Sequence, residues 1–319
     1  MRDKNMRHTK PCQLTPIRLI AGLALASMYV QPALALNGSS PSTNYPMVGQ
    51  IVGGVDGVLV APNWVLTAGH AATTSKLFSS GQGQAMIDAS FVLPGYQFPG
   101  HDLALLHLAT PIVSSQYTAL NLDYLETSHL AQIGSVTLAN ASSNAQGSQW
   151  QNRYVESTLV NALTWAGNYA VHWVVADQHS SGNPLLQSGD SGSGLFLSAA
   201  GEANPLLGGI ASAICMTNKS CFVQPTAFRD WLDITLLRYQ PSNPEELRRQ
   251  QINWVSLDRT NLSSISAQAS FNPDTMYVTA VPEPEQITLM LLGLALLTGA
   301  CLRRLSSKDG PVQTYAKLG

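Results

Sequence analysis

Positive charge is scarce through the middle of this chain. Between Leu36 and Gln240 only Lys76, Arg153, Lys219, Arg229 and Arg238 stand against eleven Asp and Glu. That stretch is acidic and lacks the clustered Lys and Arg that a phosphate backbone requires, which excludes nucleic acid as a partner. Long charged tracts are missing as well. With 11% charged and 45% hydrophobic residues, the chain has material for a large core and little room for charged disorder. Cysteine is also sparse, at four residues, with Cys12 in the N-terminal leader and Cys301 in the C-terminal apolar run, outside the folded region. Cys215 and Cys221 remain, able in an oxidising compartment to close a small loop worth about 2 kcal/mol. A metal site is the rival reading, but no further Cys or His stands beside them at ligand spacing. No metal and no cofactor is expected.

The ends carry the long apolar runs. Arg2, Lys4, Arg7, Lys10 and Arg18 precede an apolar run from Leu19 to Val30, followed by Ala33, Leu34 and Ala35. Charge, then a short hydrophobic segment, then small residues is the layout of a secretory signal peptide cleaved near Ala35. At the other end, Ile287 to Leu302 is apolar and is followed by Arg303 and Arg304. As a helix this run would rise about 24 Å, a little short of a hydrocarbon core of about 30 Å. The arginines place the C-terminus in the cytoplasm and the folded part outside.

Between the ends, short apolar runs alternate with Gly, Pro and Asn. Val58 to Val60, Trp64 to Thr67, Leu103 to Leu108, Val136 to Leu138, Val171 to Val175 and Leu195 to Leu197 read as strands, and many short strands punctuated by turns indicate an all-β barrel or sandwich. A helix is expected from about Phe228, where Trp231, Leu232, Ile234, Leu236 and Leu237 follow Asp230. A second begins at Asn243, Pro244, Glu245 and Glu246, and a polar linker runs from about Asn261 to Thr279.

Three motifs carry chemistry. Val65-Leu66-Thr67-Ala68-Gly69-His70 comes first; His101-Asp102-Leu103-Ala104-Leu105-Leu106 follows, with Asp102 32 residues after His70; Ser188-Gly189-Asp190-Ser191-Gly192-Ser193-Gly194 stands last, with Ser191 89 residues further. A serine hydroxyl is a weak nucleophile until a base takes its proton, and a buried carboxylate makes the base effective by fixing its tautomer and stabilising the imidazolium. One residue is available for each role. Gly189 and Gly192 flank the serine with residues that tolerate the tight backbone needed to aim N–H groups at a developing oxyanion. His101, His107, His129, His172 and His179 match no motif and are expected to be ordinary surface or partly buried histidines.

These motifs resemble those of the chymotrypsin or trypsin-like serine protease family, in sequence and in the order His, Asp, Ser. The resemblance covers about Pro46 to Leu237 and implies two six-stranded β-barrels with a C-terminal helix and the site between the barrels. It implies His70, Asp102 and Ser191 as a catalytic triad in a serine endopeptidase and Gly189 and Ser191 as oxyanion donors. Ser212 is implied to support the aspartate. It also implies Leu185 as the floor of the primary pocket and Ile214 on its wall, and hence a preference for small or medium apolar residues before the cut. Ala71 and Ser193 depart from the pattern, standing where a cysteine and a second glycine are usual.

Ile51-Val52-Gly53-Gly54 copies the family's activated N-terminus but lies only 19 residues before His70, so it is read as strand and turn. The family's inward-turned aspartate corresponds to Asp190 and needs a cation. Counting back from Pro46 sets the equivalent N-terminus near Leu34 to Leu36, so that leader cleavage could supply it; Arg153 is the alternative. Val281-Pro282-Glu283-Pro284, the apolar run and Arg303-Arg304 resemble the PEP-CTERM sorting signal of Gram-negative bacteria, which implies an exosortase partner and a membrane anchor. The expected plan is a signal peptide at 1–35, a protease domain at 36–240 split near 125–135, a helical or linker segment at 241–280, the sorting signal at 281–304 and a tail at 305–319. Two rivals are weighed. An α/β-hydrolase would need Gly-x-Ser-x-Gly and the histidine last, but position 193 is Ser and the histidine comes first. A catalytically inactive, protease-like binding or extracellular-matrix protein is the rival from another class.

Overall fold

A computed structural model describes residues 36–114, 117–142, 151–198, 205–239, 250–257 and 279–280. The expected leader, second helix, sorting signal and tail lie outside the described residues.

After the short strand β1 (Ser40–Ser42), six strands close a barrel: β2 (Val48–Ile51), β3 (Val55–Ala61), β4 (Trp64–Thr67), β5 (Leu77–Ser80), β6 (Gly83–Val92) and β7 (Ala104–Leu108), in the order β2-β3-β4-β7-β6-β5. Every residue of β3 and β4 is buried, because these strands are covered on both faces. In the first half of β6, buried Ala85 and Ile87 alternate with exposed Gln84, Met86 and Asp88, the period of a strand with one wet face. Phe78 is wholly withdrawn from solvent inside this barrel, against Gly49 and Gly57, while the buried Trp64 packs on the other face of β4 against Phe91, His107 and Tyr239.

After β8 (Leu120–Asn121), a second ring forms from β9 (Ser135–Ser142), β10 (Gln151–Ala166), β11 (Tyr169–Ala176), β12 (Gly194–Leu197), β13 (Leu206–Cys215) and β14 (Lys219–Val223). The pairings β9–β10, β10–β11, β11–β14, β14–β13, β13–β12 and β12–β9 return to their start. Both rings close on themselves, an arrangement that removes most unpaired backbone groups, although β13 leaves β12 after Ile210 and turns that edge to another partner.

A turn at Pro225–Phe228 leads into α1 (Arg229–Arg238), with Asp230 in its first turn and Arg238 in its last, each on the favourable side of the helix dipole. The short strands β15 (Trp254–Val255) and β16 (Thr279–Ala280) complete the sheet, β16 on β13. Thr279, read from sequence as the end of a polar linker, is therefore part of a strand. A pair of residues carries no periodicity by which to recognise it. Among the described residues no helix is long and apolar enough to cross a membrane.

Candidate active site

The two barrels meet where their loops carry the motif residues. His70 lies in a 3-10 turn directly after β4, and Asp102 lies just before β7, the strand paired with β4. Two hydrogen bonds join these neighbours: the His70 backbone N–H donates to Asp102 Oδ1 at 2.9 Å, and His70 Nδ1 is 2.8 Å from Oδ2. Asp102 is fully buried. The Ser212 hydroxyl, in the middle of β13, donates to the same Oδ2 at 2.5 Å. On the other side of the ring, Nε2 is 2.8 Å from Ser191 Oγ. With Nδ1–H directed at the carboxylate, Nε2 is left as the acceptor for the serine proton. Phe98 stands edge-on to the imidazole at 5.5 Å. Beside it, burial and the Asp102 charge push the Tyr96 phenol up to about 12, so it stays neutral.

The serine loop is held from several directions. Gly189 and Gly192 have φ of +95° and +87°, a region that residues with a Cβ avoid. A Cβ on Gly192 would also strike the Asp56 carbonyl and the Thr67 hydroxyl. The N–H groups of Asp190, Gly192 and Ser193 bond to the carbonyls of Gln187, Ala211 and Asp190. Among the described residues no acceptor takes the N–H of Gly189 or Ser191. Two donors at and beside Ser191 are thus left for an incoming oxygen.

Asp190 is buried and turned inward. Its carboxylate accepts from the Asn140 side-chain amide at 2.7 Å, the Gln187 N–H at 2.7 Å and the Leu36 N–H at 3.3 Å. Leu36 is itself 1% exposed and packs in the core of the second barrel. Arg153, the alternative partner considered from sequence, instead reaches the hydroxyl and carbonyl of Ser39. Ile51 closes β2 as a buried residue, with a turn at Gly53 and Gly54.

The remaining candidates lie on the β13–β14 hairpin and in the segment between β11 and β12 that packs on it. Leu185 is 1% exposed, and its N–H and that of Leu186 both donate to the Ser220 hydroxyl, at 3.1 and 3.2 Å. Ser220 pairs with Ile214 across the hairpin, so it stands between the floor and wall residues named from sequence. Cys215 and Cys221 are joined by a disulfide at the end of the same hairpin. Sequence reasoning missed Ser220, Asn140 and Asp56. None belongs to a motif, and each acts on residues far away in the chain.

A family model described as Trypsin matches residues 38–232, well over half the chain. The chain belongs to the trypsin family. Comparison with curated proteins finds no match. Among solved structures, the mouse brain protein described as neuropsin, a serine protease expressed in the limbic system, is 17% identical, with a TM-score of 0.48. The match covers 60% of this chain and 95% of that one. As a member of the trypsin family the chain is a serine protease by type, with the all-β double barrel and the short C-terminal helix α1.

Proposed function

We propose that this trypsin-family chain is an exported serine endopeptidase in which His70, Asp102 and Ser191 act as a triad. The observation that carries this reading is the unbroken series of hydrogen bonds from Ser212 through Asp102 and His70 to Ser191. Ser191 Oγ attacks the peptide carbonyl as His70 Nε2 takes its proton, and the oxyanion is received by the N–H groups of Gly189 and Ser191. Collapse breaks the C–N bond, the amine leaves with the proton from His70, and water releases the acyl group by the same steps in reverse. Asp102 keeps its charge throughout and stabilises the imidazolium. A protein or peptide in extended form is the substrate class, and the edge of β13 at Ala213 and Ile214, directly after Ser212, suits it: that edge already pairs antiparallel with Thr279–Ala280. With Leu185 below and Ile214 beside it, the primary pocket takes small or medium apolar side chains.

In this reading residues 1–35 direct export, and their removal after Ala35 leaves Leu36 as the first residue, with its ammonium at the carboxylate of Asp190. Residues 281–304 then act as a sorting signal and initial inner-membrane anchor handled by an exosortase. Hydrolysis of a diverse peptide library by the mature chain tests the activity, with Ser191→Ala as the blank. Turnover that survives Ser191→Ala or His70→Ala would remove the triad from this proposal.

A further inference from the structure

A third buried carboxylate, besides Asp102 and Asp190, lies against the loop that carries Ser191, and the triad chemistry does not use it. Asp56, on β3, is 2% exposed. Its backbone N–H donates to the Ser191 carbonyl at 2.7 Å, and its own carbonyl accepts from the Thr67 hydroxyl at 2.7 Å. Its Oδ2 accepts from the Ser193 hydroxyl at 2.7 Å and from the Ala141 N–H at 3.1 Å. One residue of the first barrel therefore holds the nucleophile at its carbonyl and again two residues further on.

The same residue ties the nucleophile to the base. β3 pairs with β4 in the register Val58 to Leu66, and β4 leads into the turn that carries His70. Ser191 belongs to the second barrel, so its distance to His70 depends on how the two barrels are joined at this point. Ala141, the second donor to Asp56, follows Asn140, whose amide holds Asp190. Adjacent residues of β9 thus reach two carboxylates that grip the segment Asp190 to Ser193 at its two ends.

Burying a carboxylate is costly unless donors surround it, and an apolar residue would fill the same space without that cost. What a carboxylate adds is a directional acceptor, and here it is aimed at the hydroxyl of Ser193, the residue that departs from the usual glycine. We infer that Asp56, acting through Ser193, is a positioning residue that sets the approach of Ser191 to His70 and the aim of the Gly189 and Ser191 amides. This inference rests on the serine protease reading.

The test uses the mature chain with Asp56→Asn, Ser193→Ala and both together. Active-site titration counts folded, reactive enzyme, and kcat and KM are measured on a small activated ester. A misplacement of about 1 Å at a reacting group costs up to about 100-fold. Each single variant is therefore expected to lose about 10- to 100-fold in kcat per titrated site, with KM nearly unchanged. The double variant should fall no further than the worse single one, since Asp56→Asn weakens and Ser193→Ala removes the same contact. Ser193→Ala deletes only a hydroxyl and keeps the test open if Asp56→Asn fails to fold. A folded Ser193→Ala with parental kcat overturns the inference, as do losses that multiply in the double variant. If the parent itself shows no Ser191-dependent turnover, the protease reading falls and takes this inference with it.

Discussion

The backbone nitrogen of Leu36 stands 3.3 Å from the buried carboxylate of Asp190, the residue before Ser191. Immediately before Leu36 the sequence is Ala33-Leu34-Ala35, the small-residue pattern that a leader peptidase cleaves. A cut there converts an amide donor into an ammonium at the place where a buried negative charge needs one. Active enzyme is therefore expected to give Leu36 in the first cycle of N-terminal sequencing. A chain extended by two residues before Leu36 should react with an active-site serine probe far more slowly than one starting at Leu36. Equal reactivity of the two forms, or Ile51 in the first cycle, sinks this activation route.

Asp102 is held by three donors, from the His70 ring, the His70 backbone and the Ser212 hydroxyl. Asp102→Asn should lower kcat by about 10⁴-fold, because the amide favours the wrong imidazole tautomer. Ser212→Ala removes one donor and leaves the tautomer intact, so its loss should be far smaller, about tenfold. Steady-state kinetics on both variants check the order, and a Ser212→Ala defect as deep as that of Asp102→Asn would show that the supporting role has been underestimated.

The parts of the site that sequence could reveal are the local ones. His70, Asp102 and Ser191 each sit in a short motif whose neighbours are needed for backbone reasons, as with Gly192 pressed on the Asp56 carbonyl. The strands were legible where apolar residues run together, as in β3, β4, β7 and β11, and α1 where Asp230 opens a run of apolar residues; β6, whose burial alternates, is not among the runs read as strands. Asp56 escaped notice because Ser193 lies 137 residues away, and nothing in the neighbourhood of either marks the pair. Ser220 and Asn140 were hidden in the same way, since a buried hydroxyl or amide reveals its purpose only through its partner.

Leu185 is closed from solvent, and Ser220 stands over its backbone. With Leu185 as the proposed floor of the primary pocket, a substrate Arg or Lys would find no charge to pair there, which is costly. Library cleavage is expected to concentrate after small and medium apolar residues such as Ala and Val. Dominant cleavage after Arg or Lys would overturn the pocket assignment while leaving the triad untouched.

His172 has its basicity lowered by burial first and by the neighbouring His101 second. Its Nδ1 faces the Tyr124 hydroxyl at 3.0 Å, and the His101 ring lies 6.4 Å away. A base that protonates less readily when folded favours the unfolded state in acid. Stability should therefore decline as pH falls through about 6.5 toward the lower folded value. Urea unfolding at several pH values should show a shallower decline in His172→Asn than in the parent. Identical pH slopes would remove His172 from the acid sensitivity.

β13 pairs with β12 as far as Ile210, and after the irregularity at Ala211 to Ala213 its edge turns to a different neighbour. That neighbour is β16, with Ala213 opposite Ala280 and Ile214 opposite Thr279. Ser212, one residue from this pairing, holds Asp102, so Thr279–Ala280 of the same chain lie on the edge proposed above for an extended substrate. A tethered segment competes at an effective concentration that reaches the millimolar range for short flexible linkers. A chain ending at residue 257 is therefore expected to bind peptide substrates with a KM several-fold lower than the full chain, at unchanged kcat per titrated site. Added back as a synthetic peptide, residues 277–284 should compete with substrate on the shortened chain. An unchanged KM together with no competition would show that the pairing of Thr279–Ala280 with β13 has no bearing on substrate access.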